Sequence, residues 1–311
     1  MRYVLIFLAI LASWSLATNA QEPAESPLSR REQAPLFRSA PTDLVVLPVT
    51  VSDEAGRLVD GLEAHHFEVY DEGRRQAIRA FTNADHPVSI ALVVDNSGSM
   101  VTRVGELRAA TLAFARQSHQ SDELRIISFN DVVRDALDGR AVSAGETAVL
   151  DRAIRTLRPE GRTALYDALV AGLEYLDDAS HARRVLILVS DGGDNASSAT
   201  LDAVLARARR SNVTIYAIGL HDPEARDRNP RVLKRLAEET GGVRYLPRSP
   251  GVLIQLVGQI AREIRQSYTL GFEAPERDGR FHRLRVQLQG PDVRGLRVRT
   301  RPGYLADGGE P

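Results

Sequence analysis

There is no cysteine anywhere in the 311 residues. That excludes a disulfide scaffold, a cysteine nucleophile and lipidation of an N-terminal Cys, but says nothing about the redox state of the compartment. Lysine is nearly absent as well. Lys234 is the only one, so almost all positive charge is arginine, and the formal net charge is −1. So small a net charge gives no global field to recruit nucleic acid or an anionic membrane. The Arg-rich stretches Arg207-Ala208-Arg209-Arg210 and Arg297-Val298-Arg299-Thr300-Arg301 lack neighbouring aromatics on which bases could stack. The first fits the exposed face of a helix and the second alternates like a solvated strand face. No nucleic-acid partner is expected.

Long apolar runs are missing, with one exception at the start. Arg2 precedes Val4 to Leu16, interrupted only by Ser13 and Ser15, and Thr18-Asn19-Ala20 follows. A basic start, a short apolar core and small residues at the end form a secretory signal pattern over residues 1–20. The core is short for a full span, and a retained anchor is the alternative. The mature chain is expected to begin near Gln21, to carry no membrane span once the signal is cleaved, and to work in the periplasm or the medium.

Residues 21–41 are rich in Pro, Glu, Ser, Arg and Gln with no apolar period, as in a flexible linker. From 42 to 82 the chain reads as strands. Val45, Leu47, Val49 and Val51 alternate on one face, and Phe67–Tyr70 and Gln76–Phe81 flank a turn at Asp71-Glu72-Gly73. Between 87 and 265, apolar runs at 88–94, 124–129, 184–190 and 213–219 are separated by helical patterns. Val104, Leu107, Thr111 and Phe114 mark the first helix. Val252, Leu253, Leu256, Val257, Ile260 and Ile264 mark the last. Asn130-Asp131 reads as the turn of a hairpin leading to an antiparallel edge strand. Such alternation predicts a doubly wound α/β domain with a mostly parallel sheet and helices on both faces. Residues 266–304 return to strand patterns at Tyr268–Phe272, His282–Leu288 and Leu296–Thr300, and 305–311 read as a tail. Each β-rich flank is small to bury a face alone. The two are expected to meet in one small β-sandwich into which the α/β domain is inserted.

Three loops of the α/β region carry oxygen ligands. Asp95-Asn96-Ser97-Gly98-Ser99 directly follows the run 88–94, so one carboxylate and two hydroxyls at i, i+2 and i+4 can face one point. Thr163 precedes the helical pattern of Leu165, Leu169, Gly172, Leu173 and Leu176, and Asp191-Gly192-Gly193-Asp194 ends the run 184–190. Hard oxygens of this kind suit Mg²⁺, which takes few protein carboxylates and leaves positions open. Taken singly, Ser97, Ser99 and Thr163 could each be an N-cap and Asp191-Gly192-Gly193 a turn. Taken together, five oxygens at strand ends or helix starts point to one edge of the sheet, where ligands bind in open α/β folds.

On these residues, 87–265 resembles a von Willebrand factor type A domain. Asp95-x-Ser97-x-Ser99, Thr163 and Asp191 match that family's metal-ion-dependent adhesion site without departure. The resemblance implies that the two serines and the threonine bind the cation directly, Mg²⁺ or else Mn²⁺ or Ca²⁺, while the aspartates act directly or through water. It implies too that an Asp or Glu of a protein partner completes the sphere. The segments Val49–Gly56 and Phe67–Gly73 also resemble a bacterial family of secreted proteins that contain this domain.

A cation-dependent binding module of the bacterial envelope or exterior is therefore expected. The competing classes are a metal-dependent hydrolase and a structural envelope protein whose metal only holds loops together. Metal catalysis needs a nucleophile or general base beside the ion. His86, His119, His181, His221 and His282 lie outside the three loops, and His65-His66 reads as a surface pair before a strand. The chain has no Gly-x-Ser-x-Gly elbow, no Gly-Lys-Ser/Thr phosphate loop and no His-Glu-x-x-His. No catalytic residue is assigned, and the chain is not expected to be an enzyme.

Overall fold

The structure is a computed structural model, and it describes residues 44–220 and 228–306. The expected signal segment, the expected linker, His221 and residues 307–311 of the expected tail lie outside these.

The N-terminal flank supplies four strands. β1 (Leu44–Ser52) buries Leu47, Val49 and Val51, as its period-two pattern requires. β2 (Phe67–Asp71) and β3 (Arg74–Gln76) form a hairpin, whereas β4 (Ala80–Thr82) belongs to a different sheet. The single strand expected over Gln76–Phe81 is thus two, because the chain crosses from one sheet to the other over 77–79.

The α/β region then runs β5 (Val88–Asp95), α1 (Val104–Gln117), β6 (Glu123–Phe129), β7 (Val133–Asp135), β8 (Val142–Ser143), α2 (Thr147–Arg155), α3 (Leu165–Asp177), β9 (Arg183–Ser190), α4 (Leu201–Arg210), β10 (Val213–Gly219), α5 (Pro230–Glu239), β11 (Arg244–Tyr245) and α6 (Pro250–Gln266). Its sheet has the order β11-β10-β9-β5-β6-β7, with β8 also on β6. The pairs from β11 to β6 are parallel, and β7 and β8 are antiparallel. β5 is buried at all eight positions, which explains the unbroken apolar stretch from Ile90 to Val94. Ile90, Leu92 and Val94 pack toward α1, α2 and α6, while Ala91 and Val93 pack toward α3, α4 and α5. The buried face of α6 is Leu253, Val257, Ile260 and Ile264. Val252, expected on that face, is exposed, one residue out of the helical register.

The C-terminal flank adds β12 (Tyr268–Glu273), β13 (Phe281–Leu288), β14 (Arg297–Arg299) and β15 (Gly303–Leu305). Strands of both flanks combine into two antiparallel sheets, β14-β1-β12-β4 and β15-β13-β2-β3. Their shared core includes Leu47, Val49, Val69, Phe272, Val286 and Tyr304. The α/β domain leaves the sandwich after β4 and returns on β12. These two strands are hydrogen-bonded neighbours, with Thr82 opposite Thr269. An insertion whose two ends sit side by side adds little loop-closure cost to the host sandwich.

A polar seam ties the inserted domain to the flanks. Arg183 donates to the carbonyls of Ile264 and Ser267, at the end of α6, each at 2.6 Å. Arg299 donates to the Gly241 carbonyl and to Glu263, which also accepts from the Tyr216 hydroxyl. Arg301, expected on a solvated face, is only 3 % exposed. Its guanidinium donates to the carbonyls of Ala208, Arg209 and Ser211 at the end of α4. Those carbonyls have no partners within their own helix, and they attract a buried cation that strand alternation alone would have left in water. Among the described residues no helix is long and apolar enough to cross a membrane.

Candidate metal site

β5 and β9 are parallel neighbours, and both end at the same edge of the sheet. The chain passes from β5 to β6 on one side and later returns to β9 on the other, so the strand order reverses at β5. A crevice opens at such a switch point. Asp95 closes β5, and Asp191 directly follows β9.

The first loop is set by Asp95 itself. Its Oδ1 accepts from the Ser97 backbone N–H at 3.0 Å, which curls the chain so that Ser97 and Ser99 come round together. Their hydroxyl oxygens are 3.1 Å apart and share a hydrogen bond. Ser97 occupies the N-cap position of the 3-10 turn Gly98–Arg103, but its side chain caps nothing there. The simple capping explanation of this serine therefore fails.

The second loop is sewn to the first by backbone groups and the Asn96 side chain. Asn96 Nδ2 donates to the Arg158 carbonyl, Glu160 N–H to the Asn96 carbonyl, and Gly98 N–H to the Gly161 carbonyl. Gly161 has φ +74°, and a Cβ there would collide with the Asp131 carboxylate. That carboxylate is held against the loop by the Arg162 backbone N–H and guanidinium, both at 2.9 Å. Thr163 lies two residues before α3, and the start of that helix is served by the Ser197 hydroxyl, which accepts from the N–H groups of Tyr166 and Asp167.

The third loop reaches both others. Ser190 donates its hydroxyl to Asp95 Oδ2 at 2.7 Å and accepts from the Gly192 N–H. Asn195 brackets Thr163. Its Oδ1 accepts from the Thr163 N–H, and its own N–H donates to the Thr163 carbonyl. Asp191 Oδ1 accepts from the Gly193 N–H at 2.9 Å. Asp194 accepts from Ser197 and, at 3.3 Å, from the Tyr166 N–H, so it braces the helix start rather than facing the other ligands.

Asp95, Ser97 and Ser99 are thus joined by direct hydrogen bonds. Asp191 is near enough to act on Asp95 through its charge, and Thr163 is brought in through the bonds that unite the loops. Ser190, Asn195, Ser197 and Asp131 position these five, and the sequence reading did not single them out for that work. The one signal available was polarity: a serine closing the apolar run 185–189 needs a partner once buried.

The electrostatics fit a cation. Asp95 is 1 % exposed. Its carboxyl is pushed up to about 6, above all by burial and further by the charge of Asp191, against the pull of hydrogen bonds from Ser97 and Ser190. Two neighbouring carboxylates, one of them fully buried, repel each other unless positive charge lies between them. Hydroxyl and carboxylate oxygens are the donors that hard divalent ions take. Asp95, Ser97, Ser99, Thr163 and Asp191 are the residues that would hold such an ion.

The family model of the von Willebrand factor type A domain matches residues 89–258. Among solved structures, a von Willebrand factor type A protein from Catenulispora acidiphila aligns with TM-score 0.53 and 15 % identity, over 86 % of this chain and 74 % of its own. The von Willebrand factor domain of the type V pili tip protein Mfa5 from Porphyromonas gingivalis aligns with TM-score 0.47 and 15 % identity, over 57 % of this chain and 95 % of its own. The PilB minor pilin from Streptococcus sanguinis aligns with TM-score 0.48 and 14 % identity, over 60 % and 63 %. At such identities the likeness shows the fold alone. No curated protein matches the chain.

Proposed function

The chain belongs to the von Willebrand factor type A domain family, and from that premise we propose that it is a divalent-cation-dependent protein-binding module working outside the cytoplasm. The observation that carries the reading is the buried Asp95 carboxylate, with the Ser97 and Ser99 hydroxyls beside it and the charge of Asp191 acting on it. Mg²⁺ is the ion this oxygen set favours, with Mn²⁺ or Ca²⁺ as substitutes. A cation held mostly by neutral hydroxyls stays electrophilic and attracts an outside carboxylate. The partner is accordingly a protein offering Asp or Glu. One metal–carboxylate bond looks alike in any partner, so selectivity falls to the surrounding loops. There Val101 (60 % exposed), Val132 (51 % exposed) and the Arg162 side chain offer apolar contact and charge beside the site.

Binding is favoured over hydrolysis by the same geometry. The described hydrogen bonds of the five residues run to serine, asparagine and backbone groups, and none involves a histidine. The signal pattern of residues 1–20 supports export to the periplasm or medium.

Thermal unfolding of the purified protein against free Mg²⁺ tests the reading. An ion that binds only the native state raises the melting temperature, by about 2.7 kcal/mol of stability at a hundredfold excess over Kd. The shift should vanish in Asp95→Ala while the domain stays folded. An undiminished shift in that variant would sink the assignment.

A further inference from the structure

A second group of ligand atoms lies in the β-sandwich, on the connection between β12 and β13. Carboxylate oxygens of Glu276 and Asp278 and a ring nitrogen of His282 all lie within 4.8 Å of one another. Glu276 and Asp278 are exposed, whereas His282 is buried at the start of β13. His282 Nε2 is 3.1 Å from Asp278 Oδ1, and His282 Nδ1 is 3.1 Å from Asp71 Oδ1. Asp71, at the end of β2, is almost fully buried and also accepts from the Tyr304 hydroxyl of β15 at 2.9 Å. Three strands of one sheet thus fix a single imidazole.

We propose that Glu276, Asp278 and the Nε2 atom of His282 form a site for a borderline divalent cation of the Zn²⁺ class, separate from the five-oxygen site of the α/β domain. The arrangement around the imidazole carries this further than the acidic cluster could alone. A metal-binding histidine donates its other N–H to a carboxylate, which fixes the tautomer and raises the basicity of the ligating nitrogen. Asp71 stands where that acceptor belongs, and it is held in turn by Tyr304. With a cation on Nε2, Nδ1–H is the donor toward Asp71; without one, Nε2–H donates to Asp278, so the cation takes the place of a proton held between the ring and that carboxylate. Ligand atoms of a tetrahedral zinc site, with bonds of about 2.0–2.1 Å, stand roughly 3.3 Å apart. The 3.1 Å between Nε2 and Asp278 is close to that spacing.

An imidazole ligand favours Zn²⁺, Co²⁺ or Ni²⁺ over the Mg²⁺ that an all-oxygen site prefers. Three protein ligands leave a fourth position for water or an outside group. Arg280 approaches Asp278 at 3.6 Å and Arg74 approaches Glu276 at 3.7 Å. Both arginines are largely exposed, and pairs of that kind add little that a bound cation would have to overcome.

The site is tested on the full chain, stripped with EDTA and then held in excess Mg²⁺ to fill any oxygen-only site. Calorimetric titration with Zn²⁺ should show one Mg²⁺-resistant ion per chain, and Co²⁺ should give the visible bands of a low-coordinate site with a nitrogen ligand. Asp95→Ala should leave both signals intact, which separates this proposal from the function proposed above. Asp278→Asn and Glu276→Gln, both at exposed positions, should each weaken Zn²⁺ at least tenfold, and His282→Gln should abolish the Co²⁺ bands. The proposal is overturned if no Mg²⁺-resistant Zn²⁺ binds, or if both carboxylate variants bind it undiminished. It fails equally if His65→Ala removes the binding while Asp278→Asn keeps it, since the metal would then sit at the exposed histidine pair.

Discussion

Arg301 is the residue whose removal should most sharply test how the flanks hold the inserted domain. Its guanidinium makes four hydrogen bonds, to the carbonyls of Gly303, Ser211, Arg209 and Ala208. Three of these acceptors lie at the end of α4, where the helix dipole is negative and carbonyls lack intrahelical partners. Burial pulls the guanidinium down to about 10, partly offset by the charge of Glu239, so it remains charged at neutral pH. A base with a depressed folded-state value gains stability as pH rises through that value, which confines any titration effect to the alkaline range.

Arg301→Met keeps most of the aliphatic stem but withdraws the donors from the Arg209, Ser211 and Gly303 carbonyls, while Ala208 keeps the Ser211 hydroxyl. Each unsatisfied buried acceptor costs about 1–3 kcal/mol, and rearrangement or water recovers part of the total. A loss of about 3 kcal/mol is expected for Met, and about 4–5 kcal/mol for Ala, which adds a cavity. Equilibrium denaturation in urea, monitored by circular dichroism, measures it, and the midpoint of thermal unfolding should fall by roughly 2–4 °C per kcal/mol. A Met variant within about 0.5 kcal/mol of the parent, as a surface substitution would be, would refute the idea that Arg301 ties the end of α4 to the sandwich.

Thr163→Ala should weaken Mg²⁺ about tenfold in the same melting assay without lowering stability in EDTA, because Asn195 holds the Thr163 backbone rather than its hydroxyl; full Mg²⁺ affinity would remove Thr163 from the ligand set. Residues 42–82 alone should give no cooperative unfolding, since β1 pairs with β12 and β14 and β4 with β12, and a cooperative transition of the isolated segment would refute the shared sandwich. N-terminal sequencing of the exported protein should read from Gln21. An intact Met1 in the membrane fraction would instead favour a retained anchor.

The parts of the fold that depend on one-dimensional pattern were legible. β5, β6, β9 and β10 are buried on both faces over most of their length, and their largely apolar runs say so without any tertiary information. The flanks show β1 alternating with period two, which already requires a second layer to cover Leu47, Val49 and Val51. Short elements were not legible. β8, β11 and β15 have two or three residues each, too few for any period to show. They exist because a neighbouring strand offers free backbone groups. The split of 76–81 into β3 and β4 is of the same kind, a crossing between sheets that local pattern cannot distinguish from one continuous strand.

Polar residues separate more sharply. Asp95, Ser97, Ser99, Thr163 and Asp191 stand out because oxygens at strand ends and helix starts are unusual in combination. Ser190, Asn195 and Asp131, which position them, are individually ordinary turn residues. Their roles come from partners 30 or more residues away, such as Asp131 on Arg162 or Ser190 on Asp95. Arg301 and His282 show the same limit from the opposite side. Arg301, between β14 and β15, ends an alternating Arg pattern, and His282 lies beside Arg283 in β13, so each reads as solvent-facing or incidental, yet each is buried against acceptors from another element. A buried charge is decided by what lies opposite it. In this chain the opposite groups are helix-end carbonyls for Arg301 and the carboxylate of Asp71 for His282, and neither pairing leaves a trace in the spacing of residues along the sequence.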